Sequence, residues 1–173
     1  YTAATGFVSF WVRIPSLSST VDTEIWIAYG DASITTDHGD GPAVFIADPI
    51  GGAGYRCVYH VPDGSNFTRD SGEFGYDLTL WGSPADGAAG RIGSGLELDG
   101  ATQWADGFGT FLQVTGNLTM SAWVYPPSIS VAACIMTRGT IFHNYRLEMT
   151  SSGLLEGGAN TRDFAAAVSS AAL

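Results

Sequence analysis

Four aspartates carry the first candidate chemistry. Asp63, Asp70, Asp77 and Asp99 sit in or beside turns rich in Gly and Ser, and calcium takes several oxygen ligands from such loops. Aspartate is also a turn former in its own right, because its side chain accepts from backbone N–H groups just downstream. The spacing is not that of an EF-hand. A second acidic run, Asp31, Asp37, His38 and Asp40 in DASITTDHGDG, matches no metal-ligand frame and reads as a solvated loop.

Aromatic residues carry the second. Sugar rings have apolar faces that stack on exposed indole or phenol rings, so Tyr76, Trp81 and Trp104, near Gly-rich loops, are candidate platforms. Catalysis finds less support. Glu97-Leu98-Asp99 imitates the first half of the E-x-D-x-E strand motif of jelly-roll glycoside hydrolases. Gly100, Ala101 and Thr102 follow it, so the second carboxylate that would act as acid/base is missing. His38, His60 and His143 are scattered, and neither a G-x-S-x-G elbow nor an H-E-x-x-H motif occurs. Cys57 and Cys134 form no CxxC cluster; a single structural disulfide and two free thiols both fit. Asn66-Phe67-Thr68 and Asn117-Leu118-Thr119 match the glycosylation sequon.

The elements that must position these residues read as strand after strand. The expected strands are Phe7–Ile14, Thr23–Tyr29, Ala43–Ala47, Tyr55–Val61, Asp77–Trp81, Leu96–Asp99, Thr110–Val114, Leu118–Tyr125, Cys134–Thr137 and Thr140–Met149, with Ser151-Ser152-Gly153 turning into Leu154-Leu155. Phe164–Leu173 fits a helix, a truncated strand or a loop. Pro49–Gly54 divides the chain, giving residues 1–50, a linker at 51–54, and residues 55–173. Short strands with Gly-rich turns predict an all-β, antiparallel β-sandwich.

Composition excludes several functions. The 173 residues hold 17 acids against seven arginines and no lysine, a net charge of −10. Phosphate backbones need a basic footprint, which is absent, so nucleic acid is excluded as a partner. An anionic membrane surface would be repelled, and no apolar run is long enough to span a bilayer as a helix. The chain opens mid-pattern at Tyr1–Arg13 and stops within an apolar stretch, so the expectation is a piece of a longer polypeptide. On that expectation the uncovered edges of residues 55–173 are covered by the parent chain or by neighbouring copies.

A family resemblance follows from particular residues. Tyr59-His60-Val61, Asp70-Ser71-Gly72, Gly75-Tyr76-Asp77, the run from Gly90 to Gly100 (GRIGSGLELDG) and Leu118–Pro126 (LTMSAWVYP) come in an order that resembles the front half of bacterial and phage laminin-G-like, concanavalin-A-like jelly-roll domains. Gly95-Leu96 stands where Ala-Leu is usual. Phe10–Pro15 and Ile25–Asp31 are similar to a small domain of unknown function that precedes such lectin-like domains in bacterial surface proteins. The resemblance implies a jelly roll with a calcium site at its rim, Asp70 and Asp77 in the candidate loop, and an inward-packed Trp123. It also implies a non-catalytic glycan-binding or adhesion module on a cell or virion surface. The other reading is a structural module of a fibre, filament or capsid. Fold alone does not separate the two.

Overall fold

The structure is a computed structural model that describes residues 10–36, 38–47, 54–61, 68–107, 114, 117–128, 130–139, 145–159 and 165–168. The chain is all-β, and among the described residues every strand pair is antiparallel. Three-residue strands β1 (Thr79–Trp81) and β4 (Trp104–Asp106) form one ribbon, and β2 (Ala85–Ala89) and β3 (Ser94–Glu97) form a second between them in sequence. Strands β5 (Ala133–Arg138), β6 (Tyr145–Met149), β7 (Leu155–Ala159) and β8 (Ala165–Val168) make a four-stranded sheet in sequence order.

The larger sheet shows how alternation sorts side chains. On β6, Tyr145 and Met149 are buried and share a face with Leu147, while Arg146 and Glu148 take the other. Glu148 lies directly opposite Glu156 on β7. The repulsion is relieved by Arg146, whose guanidinium stands 3.0 Å from Glu148 and 3.3 Å from Glu156. The turn into β7 is the one expected at Ser151–Gly153: Thr150 N–H donates to Leu154 C=O at 2.8 Å, and Gly153, at φ 77°, donates to Thr150 C=O at 3.0 Å. Residues 165–168 resolve the open choice at the C-terminal end in favour of a strand.

Several expected strands are corrected. Ala43–Ala47 gives way to one helical turn, α1 (Gly41–Val44), because Asp40 accepts the Ala43 N–H at 3.0 Å and Pro42 suits a first helical turn. Among the described residues, 10–14, 23–29 and 118–125 run without strand pairing, and 55–61 contribute only the bridge from Tyr59 to Asp70. Trp123 is accordingly 74% exposed rather than packed inward, with the Arg91 guanidinium 5.8 Å over its ring. Val114 is the one described residue of the strand expected at 110–114, and residues 7–9, 140–144 and the linker residues 51–53 lie outside the described residues. No helix among the described residues is long and apolar enough to cross a membrane.

Candidate functional site

Pairing of β1 with β4 sets Trp81 directly across from Trp104. Their rings stack 15° from parallel with centroids 5.9 Å apart, yet Trp81 stays 44% and Trp104 51% exposed. Offset stacking contributes about 0.5–1.5 kcal/mol to such a pair. It also leaves apolar ring surface facing water.

The chain beside the pair is fixed by two polar residues. Asp99 Oδ1 accepts from the backbone N–H groups of Ala101, Thr102 and Gln103 at 2.8–2.9 Å, and its Oδ2 accepts the Thr102 hydroxyl at 2.6 Å. Those bonds, the Thr102 hydroxyl first, hold the Asp99 carboxyl well below the usual carboxylate range. Gln103 Oε1 accepts the Asp99 N–H at 2.9 Å, while its Nε2 donates to the carbonyls of Gly82 and Ser83 at 3.2 Å. Gly82 has φ 75°, and a Cβ there would overlap the Thr102 carbonyl oxygen. Ser83 takes φ 54°, an uncommon conformation outside glycine. Next to this tie lies a groove of about 330 Å³ lined by Ser83, Ala85, Glu97, Leu98, Asp99 and Gln103.

Asp70 organises a different region. It is 3% exposed. Its Oδ1 accepts from Val58 N–H and Gly72 N–H, both at 2.8 Å, and its Oδ2 accepts from Tyr76 N–H at 3.0 Å. Its own N–H donates to Asp77 Oδ1 at 2.9 Å. The Tyr59 hydroxyl closes the loop on the Tyr76 carbonyl at 2.7 Å, and burial raises the Tyr59 phenol far above its ordinary range.

The structure therefore brings Asp70 and Asp77 together in one loop and places Asp99 in another turn. Asp63 and Asp37 lie outside the described residues. Among the described residues no group of three His, Cys, Asp or Glu side chains is placed to hold a metal. Asp31, which accepts from both the N–H and hydroxyl of Ser33, acts locally as a turn former. Of the three aromatic candidates, Trp81 and Trp104 pair with each other. Tyr76 is half-buried and stacks instead on Phe74, with centroids 5.5 Å apart. Both cysteines are free, Cys57 half-buried and Cys134 exposed.

Comparison with known proteins adds one assignment. Residues 1–48 match the family described as Domain of unknown function (DUF2341). No curated protein and no solved structure matches the chain. The family segment contains the outcome that sequence reasoning missed, an aromatic cluster in which it meets the residues that follow. Phe45 of the DUF2341 segment is 7% exposed. Its ring contacts Tyr55 at 5.4 Å and His60 at 5.0 Å between centroids, and Trp11 adds contacts to Phe45 at 5.8 Å and His60 at 4.7 Å. Tyr55 N–H donates to Ile46 C=O at 3.1 Å, and Ala47 N–H donates to the Glu73 carboxylate at 3.1 Å. His60 Nδ1 lies 2.9 Å from the Ser71 hydroxyl, and burial lowers the imidazole pKa below its ordinary 6.5. The signal was present as Trp11, Phe45, Tyr55 and His60, but no periodicity links residues so far apart.

Proposed function

We propose that the chain is a non-catalytic glycan-recognising module of an exported cell-surface or virion-surface protein. On this reading residues 55–173 are the front part of a lectin-like, laminin-G-like jelly roll that follows a DUF2341 segment. The observation that carries the reading is the Trp81–Trp104 pair: two adjacent indoles half open to water, whose chain neighbours Ser83 and Gln103 line a groove with Glu97 and Asp99. An indole in a small β-domain ordinarily gains more from burial than from exposure, at about 25 cal/mol per Å² of apolar surface. Exposed indoles beside polar groups suit a ring that is apolar on its faces and hydroxylated at its edge. The test is affinity electrophoresis through gels carrying a panel of polysaccharides. At least one polysaccharide should retard the chain, and Trp81→Ala and Trp104→Ala should each restore free mobility. Equal retardation of both variants and the parent would remove the platform from the account.

The second reading, a structural module of a surface assembly, is favoured by a different observation. Trp26, Tyr29 and Tyr125 are among the most exposed apolar side chains. On this reading, neighbouring domains or copies cover that surface.

A further inference from the structure

We propose that the Trp81/Trp104 site selects cationic amino sugars, oligosaccharides bearing free ammonium groups, over neutral and anionic glycans; this rests on the glycan reading above. The groove's free polar groups carry the inference. Gln103 is used up by its bonds to Asp99, Gly82 and Ser83, so its amide donors are not offered to a ligand. Asp99 keeps its negative charge, since its bonds favour the ionised form, but both of its oxygens already accept hydrogen bonds. Glu97 makes no hydrogen bond or ion pair among the described residues, and it is one of the residues that line the groove. Among the described residues none that lines the groove is cationic.

The groove therefore presents anionic acceptors, with the Ser83 hydroxyl as its one side-chain donor not already used. A ligand that fits must bring the donors, and an ammonium group brings three together with a positive charge. The exposed indole faces favour the same charge, because the ring quadrupole attracts cations over the face. Neutral sugars lose the ionic contribution. Uronates and sulfated sugars meet Glu97, Asp99 and a molecule of net charge −10.

Titration calorimetry separates this from its alternatives. The probes are fully deacetylated glucosamine oligomers, the N-acetylated oligomers of the same length, and oligogalacturonate. The deacetylated oligomer should bind about tenfold tighter than its acetylated counterpart, a difference of about 1.4 kcal/mol. The preference should shrink at 1 M salt, where the screening length falls to about 3 Å. In Glu97→Gln the two oligomers should bind alike. Because an acidic chain attracts polycations nonspecifically, Trp104→Ala is the control: it keeps every charge and should lose the deacetylated oligomer. Retention by Trp104→Ala, or a preference that survives Glu97→Gln, overturns the proposal. So does equal, Trp104-dependent binding of both oligomers to the parent chain, which overturns the charge selection and leaves the glycan reading standing. Failure of all three oligomers to bind overturns the selection, and the glycan reading itself fails only if the polysaccharide gels are silent too.

Discussion

Asp70 shows how one side chain replaces missing secondary structure. Residues 55–61 and 68–78 form a single bridge between them, so the backbone donors of Val58, Gly72 and Tyr76 turn to its carboxylate instead of to a strand. Buried N–H groups left without an acceptor cost about 1–3 kcal/mol each. Asp70→Ala should therefore destabilise the fold by at least about 3 kcal/mol. Asp70→Asn, which keeps one acceptor oxygen, should cost less. Thermal melts check this, run with millimolar calcium and again with chelator. A carboxylate occupied by backbone gives the same loss in both, whereas one that also holds calcium gives a calcium-dependent rise in the parent that the variant lacks. The family resemblance implied that Asp70 and Asp77 belong to one loop. Aspartate's two uses, ligand and turn former, have the same local spacing, and only the positions of the backbone donors distinguish them.

At the scale of elements, the β1–β4 ribbon depends on its tie more than on its three residue pairs. Gly82 is the weak point of that tie, because its φ of 75° and its closeness to Thr102 both exclude a side chain. Gly82→Ala should weaken the ribbon by about 1–3 kcal/mol. The loss should be visible as a diminished exciton couplet of the stacked indoles in far-UV circular dichroism. What the sequence revealed of these elements follows from propensity. Strands β1, β5 and β6 and the Ser151–Gly153 turn lie where β-branched, aromatic and turn residues predict them. Strand β2 (ADGAA) and the Ala-Asp of β4 have poor strand residues; the Gly90–Gly93 turn brings β2 to β3, and the Gln103 bonds to Gly82 and Ser83 hold the start of β4 against the end of β1. Conversely, TEIWIAY and LTMSAWVY alternate well and yet pair with nothing among the described residues. Alternation says that one face wants burial; it does not supply the partner. The Trp81–Trp104 site was legible as two candidate residues, but not their stacking, which needs the antiparallel register across 23 positions.

On the scale of the whole molecule, the aromatic cluster decides whether the DUF2341 segment and the residues after it melt together. Phe45 contacts both Tyr55 and His60, so its removal opens a cavity and should cost about 3–5 kcal/mol. Phe45→Ala should split one calorimetric transition into two. Acid should loosen the same contact. His60 is held neutral by burial, so its contribution is complete above pH 6.5 and is lost as the pH falls below that value toward its lowered folded pKa. The parent should lose melting temperature between pH 7 and 5 faster than His60→Phe, and parallel curves would exclude His60 as the cause. The Trp81–Trp104 pair has a further consequence, for chain entropy. The two indoles terminate a loop of 22 residues, Gly82 to Gln103, which includes the whole β2–β3 ribbon. Three residue pairs close that loop, against a closure entropy that grows as about (3/2)RT ln n. A sugar stacked on the outward face of either ring would add a further contact holding the ribbon closed. Occupancy would then be felt not only at the rings but through the entire hairpin between them, which would exchange its amide protons more slowly whenever the glycan is bound.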